Sequence, residues 1–257
     1  MEELVEELPL LRAPTGSSGP VSGPVARRMV AATSIFGDHF VTPMAAVAGA
    51  VAQHVLERSM DDQLKRLTVN NGGDIAFDLR RGASTTIGVV VSPIGARLAG
   101  TITIHESSSV RGLATSGWRG RSHSLGIADA VTVLAHDAAI ADAAATVIAS
   151  AVDLPGHPKV ERVPAGEIDA NSDLGRRLVT VSVGELSDRD CREALEPGSA
   201  LARDLMARGF ILGAYLVVGG ASEALHVDVS SPFTFERALE RRAGQPALAP
   251  VLTPAGS

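Results

Sequence analysis

The segment from Arg111 to Thr146 constrains the fold most, because it sets hydroxyl, basic and carboxylate side chains between two strongly patterned elements. Upstream, VRGLATS alternates as a β-strand does, and GWRGRSHSLG then supplies a flexible, cationic connection that favours a phosphate or another anion. Downstream, ADAVTVLA has the β-branched, apolar composition of a buried strand, and HDAAIADAAATVIASAV predicts an alanine-rich helix. The segment therefore predicts a functional site carried by these elements.

Asp142 and Thr146 lie four residues apart on the predicted alanine-rich helix. Residues at this spacing share one helix face, so the carboxylate and the hydroxyl can point at the same hard cation or phosphate. In the alternative interpretation, Asp142 faces solvent and Thr146 packs in the core. The spacing alone leaves both interpretations open.

The rest of the sequence predicts strands and helices in blocks. Strands are indicated on both sides of the NNGGD corner, in TTIGVVVS and ARLAGTITIHE, in RRLVTVSVGEL, and in the pair FILGAYLVVGG and ALHVDVS. A late helix, SDRDCREALEPGSALARDLMARG, is predicted to break near Pro197 and Gly198. Because the blocks do not alternate strictly as βαβ units, the sequence predicts an α+β fold built from a largely antiparallel sheet with packed helices.

Turn-forming residues suggest the domain boundaries. The Pro, Gly and Ser content of APTGSSGPVSGP predicts an irregular lead-in over residues 1–24, to which no chemistry is assigned. A single α+β domain is expected over residues 25–235, followed by a Pro/Ala-rich tail over residues 236–257 that is expected to be mobile. DLPGHPKVERVPAGEIDANSD predicts a connector of loops inside the domain.

Composition narrows the function classes. The net charge of -6 argues against a nucleic-acid binder and against binding to an anionic membrane surface. The acidic amino terminus lacks a basic region and a long apolar run, which predicts a cytoplasmic protein without a secretory signal. The single cysteine, Cys191, excludes an intramolecular disulfide and is expected to be a surface or half-buried thiol.

Two glycine- and alanine-rich stretches suggest close approaches. The helix predicted in PMAAVAGAVAQHVLERSM presents small residues that admit either another backbone or a flat ligand. At the NNGGD corner, amide and carboxylate side chains surround two glycines, so the corner is either a plain hairpin turn or a place where a planar or phosphorylated ligand lies on bare backbone. His39, in the GDHF loop, is either an acid/base or a structural or solvated residue.

Five separated motifs, VTPMAAVAGAVA, VNNGGDIAF, LATSG, ADAVTVLA and AIADAAAT, occur in an order that resembles the superfamily of ApbE, the FAD:protein FMN transferase, and in particular a small branch of its cytoplasmic relatives. The resemblance runs from Ala26 to Val183. It implies the same α+β fold. It also implies a transferase that binds FAD, uses Mg²⁺ to split the pyrophosphate, and passes FMN to a hydroxyl group on an acceptor protein.

The resemblance also implies roles for individual residues. It makes Asp142 and Thr146 the metal carboxylate and hydroxyl, with the backbone carbonyl of Ala50 as a further ligand. It assigns the flavin pocket to the glycine corner, with Asn70, Gly72, Gly73 and Asp74 in the motif and Asn71 at its variable position. The further candidate cofactor-binding residues are Thr115, Ser116, Gly117, Arg119 and Arg121.

The sequence departs from the family pattern at two places. Val47 stands where the transferases carry a lysine. Of the family's His-Ile-x-Asp-Pro-x-Thr-Gly signature, only the histidine has a counterpart in this sequence, which is His123. Asp129 either replaces a missing acidic group or accepts backbone amides at the end of the loop. His123, His39 and Asp129 are therefore the candidate catalytic residues.

Three functions follow as hypotheses. In the first, a divalent cation on Asp142 and Thr146 bridges the phosphates of a flavin or another nucleotide, and Arg119 and Arg121 clamp the same anion or remain solvated loop charges. In the second, a flavin or small metabolite is bound without transfer. In the third, the metal assists hydrolysis of another small substrate, with His39 or His123 as acid/base. The expected partners are a small phosphorylated or planar ligand and an acceptor protein.

Overall fold

The structure is a computed structural model that describes residues 2–17, 19–92, 97–120, 122–226 and 233–237. The predicted tail lies outside the described residues from residue 238 onward. Arg121 and residues 93–96, which follow the predicted strand TTIGVVVS, also lie outside them.

The helices and strands follow one another along the chain with short connections. A 3-10 turn at Pro43–Ala46 precedes the fourth helix. The helices are α1 (Glu2–Glu6), α2 (Leu8–Leu11), α3 (Pro24–Ser34), α4 (Val47–Arg58), α5 (Ala138–Ala151), α6 (Ala165–Ile168) and α7 (Asp188–Ala207). The strands are β1 (Arg66–Asn71), β2 (Asp74–Leu79), β3 (Ser84–Ser92), β4 (Arg97–His105), β5 (Gly112–Ser116), β6 (Ala130–Ala135), β7 (Val160–Pro164), β8 (Leu178–Val183), β9 (Gly213–Val218), β10 (Ala221–His226) and β11 (Phe233–Arg237).

A six-stranded sheet in the order β1-β2-β5-β6-β9-β10 forms the middle of the molecule. Each neighbouring pair in this sheet is antiparallel. A three-stranded sheet, β11-β4-β3, and a two-stranded sheet, β7-β8, complete the strand pairing of the described residues. The predicted α+β fold with a largely antiparallel sheet is confirmed.

Strand β6 shows how the central sheet is buried on both faces. Val131 and Val133 belong to the core shared with the helices, whereas Ala130 and Leu134 belong to a second core shared with β3 and β4. Successive residues of a strand point to opposite faces, so an uninterrupted apolar run is what a strand covered on both sides requires. The helices therefore pack on one face of the sheet and the three-stranded sheet on the other.

Helix α5 is buried along most of its surface, and its neighbours approach it at backbone distance. A Cβ atom added at Gly49 of α4 would lie 2.2 Å from the carbonyl oxygen of Ala138, and one added at Gly112 of β5 would lie 2.4 Å from the Cα of the same residue. The small face predicted for the α4 region thus receives another backbone. Asp137 caps α5 by accepting the amide of Ala139 at 2.8 Å.

Arg28 of α3 ties the start of α5 to two other helices. Its guanidinium pairs with the Asp137 carboxylate and, at 2.7 Å, with the Glu57 carboxylate on α4. Ion pairs that share one guanidinium order three side chains together, and this network fixes the relative positions of α3, α4 and α5.

The irregular lead-in and the connector of loops are predictions that the structure corrects. The lead-in begins with α1 and α2, and Leu11 at the end of α2 is fully buried in the main core. The Pro, Gly and Ser residues that suggested irregular chain follow only after this anchor. The predicted connector contains strand β7 and helix α6, because β7 pairs with β8.

Helix α7 continues through Pro197, so the predicted break near Pro197 and Gly198 is wrong. Gly198 instead permits close packing, since a Cβ atom there would lie 2.4 Å from Cγ2 of Val152. Cys191 on the same helix is buried, with 3% of its surface exposed, which corrects the expectation of a surface or half-buried thiol. Tertiary packing on one face of α7 explains both differences.

Replacing Gly49 by alanine is expected to lower the free energy of unfolding by roughly 1 to 3 kcal/mol, as overpacking of a core does. The new Cβ would meet the backbone of Ala138, which cannot move aside as a flexible side chain would. Urea denaturation measures the change. The control is Gly220→Ala, where no described atom lies within 4 Å of an added Cβ and the expected change is within about 0.5 kcal/mol. Equal stability of the two variants would contradict the close α4–α5 contact.

Candidate functional site

Two adjoining cavities lie beside the first turns of α4 and the β1–β2 corner. The first, here called the helix cavity, has a volume of about 530 Å³ and lies between the start of α4, one face of α5 and residues 169–174. The second, here called the hairpin cavity, has a volume of about 570 Å³ and lies between the β1–β2 corner, β3 and the end of β5. Asp74 and Ser122 line both cavities. The two cavities together are called the cleft below.

Asp142 contributes a carboxylate to the helix cavity from the buried helix α5. The carboxylate accepts hydrogen bonds from the first-turn amides of α4, including the amide of Gly49 at 2.9 Å. Burial raises the pKa of the Asp142 carboxyl well above its ordinary range, and the nearby carboxylate of Asp74 raises it further, whereas the amides of Gly49 and Ala48 lower it. Two carboxylates therefore repel each other at the wall of one cavity.

Thr146 lies one helical turn after Asp142 and lines the same cavity. The i, i+4 spacing thus brings the two side chains to one place, as predicted, and Asp74 joins them from strand β2. No group of three or more His, Cys, Asp or Glu side chains positioned to hold a metal ion occurs among the described residues. A carboxylate pair with one hydroxyl suits Mg²⁺, which keeps several waters and is commonly held by one or two carboxylates together with ligand phosphates.

The glycine corner places Asp74 beside α4. Asn71 pairs with Asp74 across the hairpin, and Gly72 and Gly73 adopt φ values of 73° and 116° between them. Positive φ at both central residues is a requirement that glycine meets at little steric cost. The side-chain amide of Asn71 donates to the carbonyl oxygen of Ala48 at 3.1 Å, which ties the corner to the helix.

Most of the predicted flavin-binding residues line the hairpin cavity. Asn71 is absent from this lining because its side chain turns to α4. At the end of β5, a Cβ atom on Gly117 would lie 2.5 Å from the carbonyl oxygen of Asp129, so only glycine fits there. The residues brought together are Asn70, Gly72, Gly73, Asp74, Thr115, Ser116 and Gly117.

Asp129 lines the hairpin cavity, but its two carboxylate oxygens have partners. One oxygen pairs with Nε of Arg119 at 2.7 Å, and the other accepts the backbone amide of Gly219 at 2.7 Å. These contacts support the interpretation in which Asp129 accepts a backbone amide. Arg119 also stacks on the ring of Trp118, with 4.4 Å from its Cζ to the ring centroid, and it is not among the cleft-lining residues.

The structure separates the remaining candidates. His123 lines the helix cavity, as does Val47, where the resemblance to ApbE implied a lysine. His39 is exposed and is absent from the described lining of both cavities. Ala50 is fully buried within α4, and the lining instead includes Ala48. The structure therefore does not bring Ala50 into the lining of the cavity.

Sequence reasoning missed the opposite wall of the helix cavity. Arg12 reaches this wall from the lead-in, and Asp169 and Asp173 reach it from the chain between α6 and β8. The Thr42 hydroxyl donates to the Asp173 carboxylate and holds the two walls together. These residues lie far apart in the sequence and belong to no local motif, so no pattern pointed to them.

Residues 1–224 match the family described as AbpE bacteria. The chain belongs to this family. No helix of the described residues is long and apolar enough to cross a membrane. The helix cavity, the glycine corner and the carboxylate pair all lie within the matched residues.

Archaeal relatives resemble part of the chain. A UPF0280 protein of Methanothrix thermoacetophila is 41% identical over 130 residues, which are 50% of this chain and 52% of that protein. A UPF0280 protein of Archaeoglobus fulgidus is 33% identical over 159 residues, or 62% of this chain and 64% of that protein. A UPF0280 protein of Methanococcoides burtonii is 38% identical over 138 residues, which are 53% of this chain and 55% of that protein. The chain thus spans about half to two thirds of the length of these relatives, whose names specify no ligand or reaction.

Asp142→Asn is expected to change how stability depends on pH. The pKa of Asp142 is raised in the folded protein, so the stability associated with its protonated form is lost as pH rises through the folded pKa. The amide removes this loss, so the free energy of unfolding of the variant should gain on that of the wild type as pH rises from about 4, the ordinary pKa of an aspartate, towards the raised pKa of the folded protein. Urea denaturation at several pH values, in the presence of a metal chelator, measures the difference in the free energy of unfolding between the two proteins.

The control for this prediction is Glu193→Gln, a carboxylate-to-amide change at an exposed position of α7. Its pH profile should follow that of the wild type. If the stability of Asp142→Asn also follows that of the wild type at every pH, burial beside Asp74 does not raise the pKa of the Asp142 carboxyl.

Proposed function

We propose that the protein binds a phosphorylated, nucleotide-type ligand, foremost a flavin such as FAD or FMN, together with a divalent cation such as Mg²⁺. The observation that carries the proposal is the convergence of Asp74, Asp142 and Thr146 on one cavity, next to a second cavity floored by glycines. Burial raises the pKa of Asp142 most and repulsion from Asp74 raises it further, and a cation between the two carboxylates would relieve that repulsion. The same cation would attract the phosphate groups of a ligand.

The hairpin cavity suits the planar part of such a ligand. Gly72 and Gly73 present bare backbone, and Ile75, Ile87 and Leu113 present apolar surface. Its volume of about 570 Å³ falls within the range typical of small-molecule sites, about 300 to 1,000 Å³. A flat ring can lie against glycine backbone at a distance that a side chain would prevent. Because Asp74 lines both cavities, a ligand whose ring lies in the hairpin cavity could place its phosphates beside the carboxylate pair.

The resemblance to ApbE extends the proposal to a reaction. In that reaction FAD is split at its pyrophosphate and FMN is transferred to a hydroxyl group of an acceptor protein. A bound divalent cation supplies charge neutralisation at the phosphate oxygens. The residues of this chain hold the phosphates near α4 and α5 and keep the ring in the hairpin cavity. Val47, in place of the family lysine, favours binding without transfer as the alternative for the same site.

Metal-assisted hydrolysis is a second candidate, favoured by the position of His123. Its imidazole lines the same cavity as the carboxylate pair, where it would be able to move a proton to or from a water molecule or a leaving group. His39 is a weaker candidate for this role because it is exposed and is absent from the cavity lining.

The test of binding is a thermal-shift titration with FAD in the presence and absence of Mg²⁺. The wild type is expected to gain stability from FAD in a Mg²⁺-dependent way, since a ligand that binds only the folded state stabilises it by RT ln(1 + [L]/Kd). Asp142→Asn should lose the Mg²⁺-dependent part, whereas Glu193→Gln should retain it. A melting temperature that responds to neither FAD nor FMN, with or without Mg²⁺, would reject the flavin proposal.

Product analysis separates binding, hydrolysis and transfer. Incubation with FAD and Mg²⁺ is expected to release AMP if the pyrophosphate is cleaved, with FMN either free in solution or attached to protein. His123→Ala should reduce cleavage by roughly 10²- to 10⁴-fold if His123 is a general acid or base, with FAD binding unchanged. Intact FAD after incubation with saturating Mg²⁺ would leave only the binding role. Cleavage unaffected by His123→Ala would remove that residue from the reaction.

A further inference from the structure

Arg12 belongs to the N-terminal segment and lines the helix cavity. The chain on either side of Arg12 is fixed by contacts with the rest of the protein. The preceding residue, Leu11, is fully buried in the main core. Three residues later, the amide of Thr15 donates to the carbonyl oxygen of Val41 at 2.9 Å, and its hydroxyl donates to the Thr33 hydroxyl at 3.0 Å. The backbone that carries Arg12 is therefore fixed at the mouth of the cavity.

The charges around Arg12 make its position unusual. The described lining of the helix cavity contains four carboxylates, and Arg12 supplies the guanidinium of that lining. Other arginines of the protein use such neighbours: Arg28 pairs with Glu57, Arg119 with Asp129, and Arg203 with Glu223.

Within the described residues, by contrast, the exposed side chain of Arg12 makes no ion pair and no hydrogen bond. No group of the described part of the chain thus occupies its donors, which can bind a ligand.

We propose that Arg12 is an anion-binding residue of the cleft and that the ligand carries at least two linked phosphate groups. This inference rests on the proposed function. The cation held by Asp74 and Asp142 neutralises one phosphate, and Arg12 binds the next through its planar guanidinium, which matches phosphate oxygens in a bidentate way. A second phosphate would otherwise lie in a cavity with a negative lining, which disfavours it. Arg12 therefore selects diphosphates over monophosphates.

Isothermal titration with inorganic pyrophosphate and with inorganic phosphate, both in Mg²⁺, tests this selection directly. The wild type is expected to bind pyrophosphate more tightly than phosphate. Arg12→Gln should weaken pyrophosphate binding roughly ten- to hundredfold and leave phosphate binding nearly unchanged, as loss of a charged hydrogen-bonding group does. Arg12→Lys should fall between, because it keeps the charge and loses the bidentate geometry.

The matched control is Arg192→Gln, which removes an exposed guanidinium from α7, away from the cleft. It should bind pyrophosphate as the wild type does. Because Arg12 is exposed, Arg12→Gln should also keep the melting temperature of the wild type in the absence of ligand.

Each outcome bears on a different claim. Pyrophosphate binding that is equal in the wild type and Arg12→Gln, yet lost in Asp142→Asn, would overturn the role of Arg12 and leave the cation site standing. Failure of the wild type to bind pyrophosphate while FAD still raises its melting temperature with Mg²⁺ would overturn the diphosphate selection alone. If the wild type binds neither FAD nor pyrophosphate, both proposals are overturned.

Discussion

Helix α5 lies between α4, the central sheet and α7, and the distances at which these elements pack against it determine the geometry of the cleft. Alanine along most of its surface and glycine on two facing elements bring backbones together where larger residues would hold them apart. At Gly49 this packing sets the first-turn amides of α4 against the carboxylate of Asp142. The placement of the acidic group in the cavity is thus a direct result of core packing.

The same arrangement strains the site electrostatically. Asp142 is half-buried near a second carboxylate, and only part of the unfavourable charge is offset by the amides of Gly49 and Ala48. The hydrogen bond from Asn71 to Ala48 keeps the glycine corner, and with it Asp74, against α4. A fold that holds like charges together sacrifices stability at that place, and such local conflicts are expected at sites that bind a ligand.

The sequence predicts the fold wherever a pattern is local. The apolar run of β6, the alanine-rich α5 and the two-glycine hairpin all specify their own structure, and the spacing of Asp142 and Thr146 is enough to place both in one cavity. The sequence fails where tertiary contacts decide. Leu11 orders the lead-in through burial in the core, and Pro197 is tolerated because α7 is packed along its length.

The same limit applies to Ala50, which lies within α4 but away from the cavity. The walls of the helix cavity come from six separate parts of the chain: the N-terminal segment, residues 40–48, strand β2, residues 122–125, helix α5 and residues 169–174. A molecule bound there would bridge the first and last thirds of the matched region, much as a covalent cross-link would. Because its contacts would involve each of these parts, occupancy of the cleft should slow amide hydrogen exchange in all of them rather than in one loop.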